Sequence, residues 1–178
     1  MSHQLIEKQV IYDGRRIRLE IHHLEDERGR RVQKEVGIHP GAVVILPFLD
    51  RDTILLIRNR RYTIGQILIE LPAGGLEKNE DPMNAAGREL AEETGYVAGR
   101  LQRVLDFYSS PGILSEKMFT FAAYDLEKAA QNLEDDEEIE VMPVLWDEAL
   151  RMIGDGRIMD GKTIATLLAY ERFHRGPQ

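Results

Sequence analysis

Between Asp81 and Gly95 the sequence marks both ends of one helix. Asp81 can cap a helix N-terminus, Pro82 suits the first helical position, and Gly95 suits the residue that ends it. Within those limits Met83, Ala86 and Leu90 form an apolar stripe. Near the far end stand Glu89, Glu92 and Glu93, at i, i+3 and i+4. On a helix their Cβ atoms lie roughly 5–6 Å apart on one face. Like charges at that spacing cost roughly a few tenths of a kcal/mol, and two of them sit at the helix end that disfavours anions. Local rules broken without local gain are expected at functional sites. A hard divalent cation such as Mg²⁺ turns the repulsion into coordination, because it takes oxygen ligands and binds through few carboxylates plus substrate phosphates. Arg88, four residues before Glu92, is placed to orient it by a charge-assisted bond. Taken alone, an acidic helix face is more often simply solvated.

The rest of the chain mixes strands and helices. Residues 9–37 read as short strands, with Ile17, Leu19 and Ile21 alternating with polar residues and a turn at "DERGRR". A unit of two or three strands is marginal alone and must pack on its own domain or on a second chain. His39-Pro40-Gly41 is a break. Beyond it "AVVILPFL" reads as a strand buried on both faces, and "TILLIRNRRY" as its hairpin partner across "DRD". "QILIELPAGG" reads as a further strand, followed by strands over Leu101–Tyr108 and Lys117–Asp125 and an acidic loop that enters the "IEV" strand. "DEALRMIGDG" and "DGKTIATLLAYERFH" read as helices. The fold class is α+β, with a mixed sheet and helices on both faces.

Composition narrows the function classes. With 178 residues the chain has length for one domain, or one domain and a small appendage. A net charge of −8 argues against a general nucleic-acid or membrane surface. The lack of cysteine excludes disulfides, thiolate metal sites and a cysteine nucleophile. No stretch has the length of a membrane span and no signal peptide is evident, so a cytoplasmic protein is expected. His22 and His23 point to opposite faces of a strand and cannot ligate together. Trp146 opens a helix and reads as core rather than a base-stacking platform; Phe107 and Tyr108 read as strand packing.

Gly74, five residues, Glu80, seven residues, then "RELAEETGY" fill every fixed position of G-x5-E-x7-R-E-U-x-E-E-x-G-U, U being apolar. The chain thereby resembles the nudix hydrolases, which use divalent metal to cleave a diphosphate linked to another moiety. The resemblance implies a nudix-type α/β/α sandwich over residues 39–178, preceded by an antiparallel β-strand unit over residues 1–38 that serves dimerisation. It implies Mg²⁺, with Mn²⁺ as the alternative. Glu89 and Glu93 would be the principal ligands, Glu92 would bind a further metal or its water, and the Ala73 carbonyl would contribute. Arg88 and Glu92 would serve catalysis, with Glu80 supporting Arg88 from behind.

"ELPAGGLE", "EVGIHPGAVVILP" and "LLIRNRRY" resemble the ADP-ribose and nucleoside-diphosphate-sugar pyrophosphatases within that family. So does Pro111, sixteen residues after Gly95. In this likeness Arg61, Gly74 and Pro111 contact substrate. The acidic run Glu134–Glu140 carries the catalytic base, best matched by Glu137 and next by Glu138. Water would attack one phosphorus, giving AMP and ribose 5-phosphate from ADP-ribose. GDP-mannose or another sugar nucleotide is the alternative substrate. A non-catalytic ligand sensor is a third reading, opposed by the complete set of glutamates. Members of this branch form homodimers whose N-terminal strands pack across the two chains and complete the pocket.

Overall fold

The computed structural model describes residues 3–133 and 137–175. They fall into two compact units, one made of the chain up to Gly41 with Tyr108–Lys117, the other of Ala42–Phe107 with the chain from Met118 onward.

In the first unit β1 (His3–Asp13), β2 (Arg18–Asp26) and β3 (Arg31–Ile38) form an antiparallel sheet in that order. The first strand begins at His3, well before the expected residue 9. Two register shifts, between Leu5 and Glu7 and between Val10 and Tyr12, break the alternation that would have marked it. The β2–β3 turn is held by Asp26, whose Oδ1 accepts from the backbone N–H of Arg28 and of Arg30, each at 2.9 Å. Gly29 supplies the positive φ of 76° that this turn needs. Residues 108–117 join this unit through the end of β3: Gly37 N–H donates to Ile113 O at 2.8 Å, and Ser115 N–H to Gly37 O at 2.9 Å.

The second unit holds two sheets. One has the order β7 (Ala73–Gly75), β4 (Ala42–Pro47), β9 (Lys117–Lys128), β8 (Tyr96–Tyr108), with β4 antiparallel to β7 and parallel to β9. The other places β5 (Thr53–Arg61) between β10 (Ile139–Leu145) and β6 (Gln66–Glu70), antiparallel to both. All six residues of β4 are buried. Val43 and Ile45 pack against Ala85, Ala86 and Leu90 of α1 (Pro82–Thr94). Val44 and Leu46 face a second cluster with Trp146 and Met152 of α2 (Trp146–Gly154) and Leu167 and Tyr170 of α3 (Gly161–Phe173). One apolar run thus anchors helices on both faces, and each such side chain contributes about 1.5–3 kcal/mol by burial.

Several expectations need correction. The hairpin between "AVVILPFL" and "TILLIRNRRY" is reduced to one bridge, Phe48 to Ile54, because both edges of β4 are already paired with β7 and β9. "QILIELPAGG" is two strands in different sheets, β6 and β7; they part at Pro72, which has no N–H to extend a ladder. Strand β8 starts at Tyr96 rather than Leu101, and β9 continues to Lys128. Met83 is half exposed, and Ala85 takes the place in the buried face that the stripe had given it. Trp146 is core, and its Nε1–H donates to Glu171 Oε2 at 2.7 Å.

Candidate active site

The site is built where α1 meets β7. Asp81 caps α1 by accepting from Met83 N–H at 2.9 Å and Asn84 N–H at 3.3 Å. Gly95 closes the helix with a φ of 70°. The next residues return onto this helix end: Asn132 N–H donates to Glu92 O, Gln131 Nε2 to Glu93 O, and Ala129 N–H to Gly95 O. Free carbonyls at the helix C-terminus are thereby satisfied, and the segment leading into the acidic loop is fixed on α1.

Glu89 and Glu93 lie on the buried face of α1 beside its apolar residues. Glu93 is 2% exposed and its Oε2 accepts from Ala73 N–H at 2.9 Å. Gly74 stands so close to Glu89 that an added Cβ would lie 2.0 Å from its carboxylate. Only glycine permits that approach.

Arg88 organises the other oxygens. Its Nε donates to Glu80 Oε1 and its Nη2 to Glu80 Oε2, both at 3.0 Å. Its Nη1 is shared between Glu89 Oε1 at 2.8 Å and Glu92 Oε2 at 2.9 Å. Glu80 is held in turn by Glu77 N–H at 2.9 Å. The planar fork thus spans three carboxylates, which an ammonium could not do.

Burial pushes the Glu93 carboxyl up to about 8, outweighing the Ala73 N–H bond, with the charges of Glu89 and Glu137 adding to the rise. Glu89 is raised too, by burial first and in spite of Arg88. Glu137 is half buried, and its charge reaches both. Glu138 is exposed and paired with Arg60 at 2.9 Å. Glu134 and the two residues after it lie outside the described residues.

A second ionic group lies beside the first and joins Arg61, which the sequence had singled out, to Glu70, Lys162 and Asp160, which it had not. Glu70 on β6 is fully buried and accepts from Arg61 Nε at 2.7 Å and Arg61 Nη2 at 2.5 Å. Lys162 Nζ also donates to it, and to Asp160 Oδ1 at 2.9 Å. Burial pushes Glu70 up, but the bonds from Arg61 and the charge of Lys162 outweigh it and hold the carboxyl below its usual range. Arg61 therefore presents a guanidinium braced from behind, and its charge is felt at Glu93. A charged residue in "ILIEL" was the available signal, since a lone Glu in a buried strand requires a cation. Pro111 lies in the first unit, where it lines a pocket of about 300 Å³ with Val36, Tyr108 and Leu114.

The NUDIX domain family pattern matches residues 30–165. The chain belongs to the nudix family. This nudix chain is 36% identical over 165 residues to the ADP-ribose pyrophosphatase of Bacillus subtilis (strain 168), covering 92% of this chain and 89% of that one. It is 37% identical over 163 residues to the GDP-mannose pyrophosphatase of Yersinia enterocolitica, covering 85% and 84%. In fold it matches the crystal structure of an ADP compounds hydrolase with a TM-score of 0.86 at 22% identity, over 97% of this chain and 94% of that chain. The α+β sandwich expected from the sequence is therefore the fold observed.

Nudix hydrolases generally need a divalent metal, and the residues present fit one. The donors are hard oxygens, and two are buried carboxyls whose ionised forms lack sufficient positive charge. The glycine at 74 lets the Glu89 carboxylate lie directly against the backbone of β7. Among the described residues no three acidic or histidine side chains converge into a complete cage.

Proposed function

We propose that this nudix hydrolase cleaves the diphosphate of nucleoside diphosphate sugars, with ADP-ribose as substrate and AMP and ribose 5-phosphate as products. The observation that carries the reading is the pair of buried glutamates, Glu89 and Glu93, held against Gly74 and Ala73 by Arg88 and a backbone N–H. Relatives that act on ADP-ribose and on GDP-mannose align along most of the chain, which supports the substrate class. GDP-mannose is the second reading, supported by an identity as high as the first.

Glu89, Glu93 and Glu92, with the Ala73 carbonyl, would hold the metal, with Mg²⁺ as the proposed ion. Such a cation, when bound, would neutralise the diphosphate and stabilise charge on the leaving oxygen. Arg88 keeps Glu89 and Glu92 aimed together, and Glu80 keeps Arg88 from turning. Arg61 adds fixed positive charge toward the diphosphate, braced by Glu70. Glu137 takes a proton from the attacking water. Oxygen from water bonds to one phosphorus, and the P–O bond to the bridging oxygen breaks.

The working form is proposed to be a cytoplasmic homodimer. Every residue of β1 is exposed, including Leu5, Ile6, Val10, Ile11 and Tyr12, and the strand is a free sheet edge. Such an edge needs covering.

Substrate choice is tested by incubating the protein and Mg²⁺ with ADP-ribose, GDP-mannose, UDP-glucose, ADP-glucose and NADH, and comparing kcat/KM. ADP-ribose is expected to lead. A leading GDP-mannose would select the second reading, and no turnover of any would overturn both.

A further inference from the structure

The second unit contains a cavity of about 550 Å³ at the far end of β4. The active site lies at the strand's start, where Val43 and Val44 pair with Gly74 and Ala73. Phe48 to Arg51, just past the strand's other end, line the cavity. The four to five residues from Val44 and Val43 to Phe48 separate the two places by roughly 13–17 Å along the strand. The volume lies in the range of pockets that hold small organic ligands, about 300–1,000 Å³.

Three arginines meet there, Arg51, Arg100 and Arg175, in a protein of net charge −8. Two aspartates share the lining, Asp50 and Asp125. Asp50 is already engaged, accepting from Asp52 N–H at 2.9 Å and Thr53 N–H at 2.8 Å. Asp125 stands 3.8 Å from Arg100. With Asp52, which pairs with Arg175, the three arginines face three aspartates, and Arg51 is the one for which no carboxylate stands within ion-pair distance among the described residues. Its floor is aromatic. Tyr124 stacks on Phe48, and Arg100 lies over the Tyr124 ring at 3.9 Å, its guanidinium plane offered to a further flat group.

Arg175 supplies the most specific sign. Its Nη2 donates to Asp52 Oδ1 at 2.8 Å, and its guanidinium lies 4.8 Å from the Trp146 ring centre. Its Nη1 is buried and has no hydrogen-bond partner among the described residues. An unsatisfied buried donor is costly, and a guanidinium donor more so. A small turn of that head into the cavity lets an anion accept from it. His174, which also lines the cavity, donates Nε2–H to Val104 O at 3.1 Å.

We propose that this cavity is a second, non-catalytic site for a small phosphate monoester. A phosphomonoester carries about −1.5 to −2 charges at pH 7 and three acceptor oxygens, which matches three arginines better than a carboxylate does. The site does not depend on diphosphate hydrolysis at the other end of β4.

Trp146 is the one tryptophan of the chain, and Arg175 covers its ring, so its fluorescence reports occupancy. The full-length protein is titrated with AMP, ribose 5-phosphate and inorganic phosphate at constant ionic strength, as wild type and as the R51Q/R100Q double variant. The expected result is a saturable change with at least one ester at a Kd of about 1 mM or tighter, and a Kd weakened about tenfold or more in the variant. Circular dichroism and the basal hydrolytic rate are expected to match wild type, because neither arginine belongs to the catalytic machinery. No saturable change with either ester would overturn the proposal, as would equal Kd values in the two proteins. A response to inorganic phosphate as tight as to the esters would overturn the assignment of an organic ligand.

Discussion

The backbone N–H of Ala73 donates to Glu93 Oε2 at 2.9 Å. That bond ties the β7 strand to the last turn of α1. Without compensation from a cation, burial keeps Glu93 protonated up to about pH 8.

A stability prediction follows from that shift. In EDTA, unfolded Glu93 loses its proton near its ordinary value of 4.5, whereas the folded group holds it to about 8. Between those values the folded state binds more protons, so stability falls as pH rises through the window. Glu93→Gln removes this dependence. Calorimetry in EDTA should find the variant close to wild type at pH 5 and about 5 °C or more above it at pH 8. Equal pH slopes in the two proteins would contradict the burial argument.

Gly74→Ala tests the contact with Glu89. The new Cβ would fall 2.0 Å from the carboxylate, so Glu89 must move although Arg88 holds it. A displacement of about 1 Å at a reacting centre costs roughly a hundredfold, so kcat should fall by about one to two orders of magnitude. The circular dichroism spectrum should stay unchanged. Wild-type turnover would mean that Glu89 does not work from this position.

Glu137 and Glu138 are separated by their surroundings. Glu137 is half buried and acts on Glu89 and Glu93 through its charge, whereas Glu138 is exposed and paired with Arg60. Glu137→Gln should lower kcat about a hundredfold or more while leaving the metal requirement in place. Glu138→Gln should stay within about threefold of wild type, since an exposed ion pair contributes little. The reverse order would shift the base by one residue.

Much of the site was legible because the chemistry fixes the spacing. Carboxylates at i, i+3 and i+4 share one helix face, and the helix that carries them has the cap at Asp81 and the stop at Gly95 that the sequence marks. The strand partners were not legible. "AVVILP" is apolar on both faces, and nothing in it tells which neighbours take its edges. The expected hairpin partner instead lies in another sheet. The bond network from Arg61 to Lys162 joins residues about a hundred positions apart, a distance local patterns do not reach. The place of residues 108–117 beside β3 was hidden for the same reason.

Assembly is checked by sedimentation equilibrium. The exposed apolar residues of β1 lead to an expected mass of twice the 20.4 kDa chain at micromolar protein. The interface should exceed roughly 2,000 Å² in total, the scale of obligate dimers. Substituting Ile6 and Ile11 by Asp should shift the protein toward monomer. A concentration-independent mass near 20.4 kDa for wild type would end the dimer proposal.

Glu89 and Glu93 are proposed to hold the metal with which ADP-ribose is cleaved. The most direct measurement follows ³¹P NMR spectra of ADP-ribose with wild type and with Glu89→Gln and Glu93→Gln, each with saturating Mg²⁺ and with EDTA. Wild type should convert the diphosphate signals into equal AMP and ribose 5-phosphate, and EDTA should stop it. Each variant should be slower by at least about two orders of magnitude in kcat. Turnover that survives EDTA, or variants that keep the wild-type rate, would contradict the account.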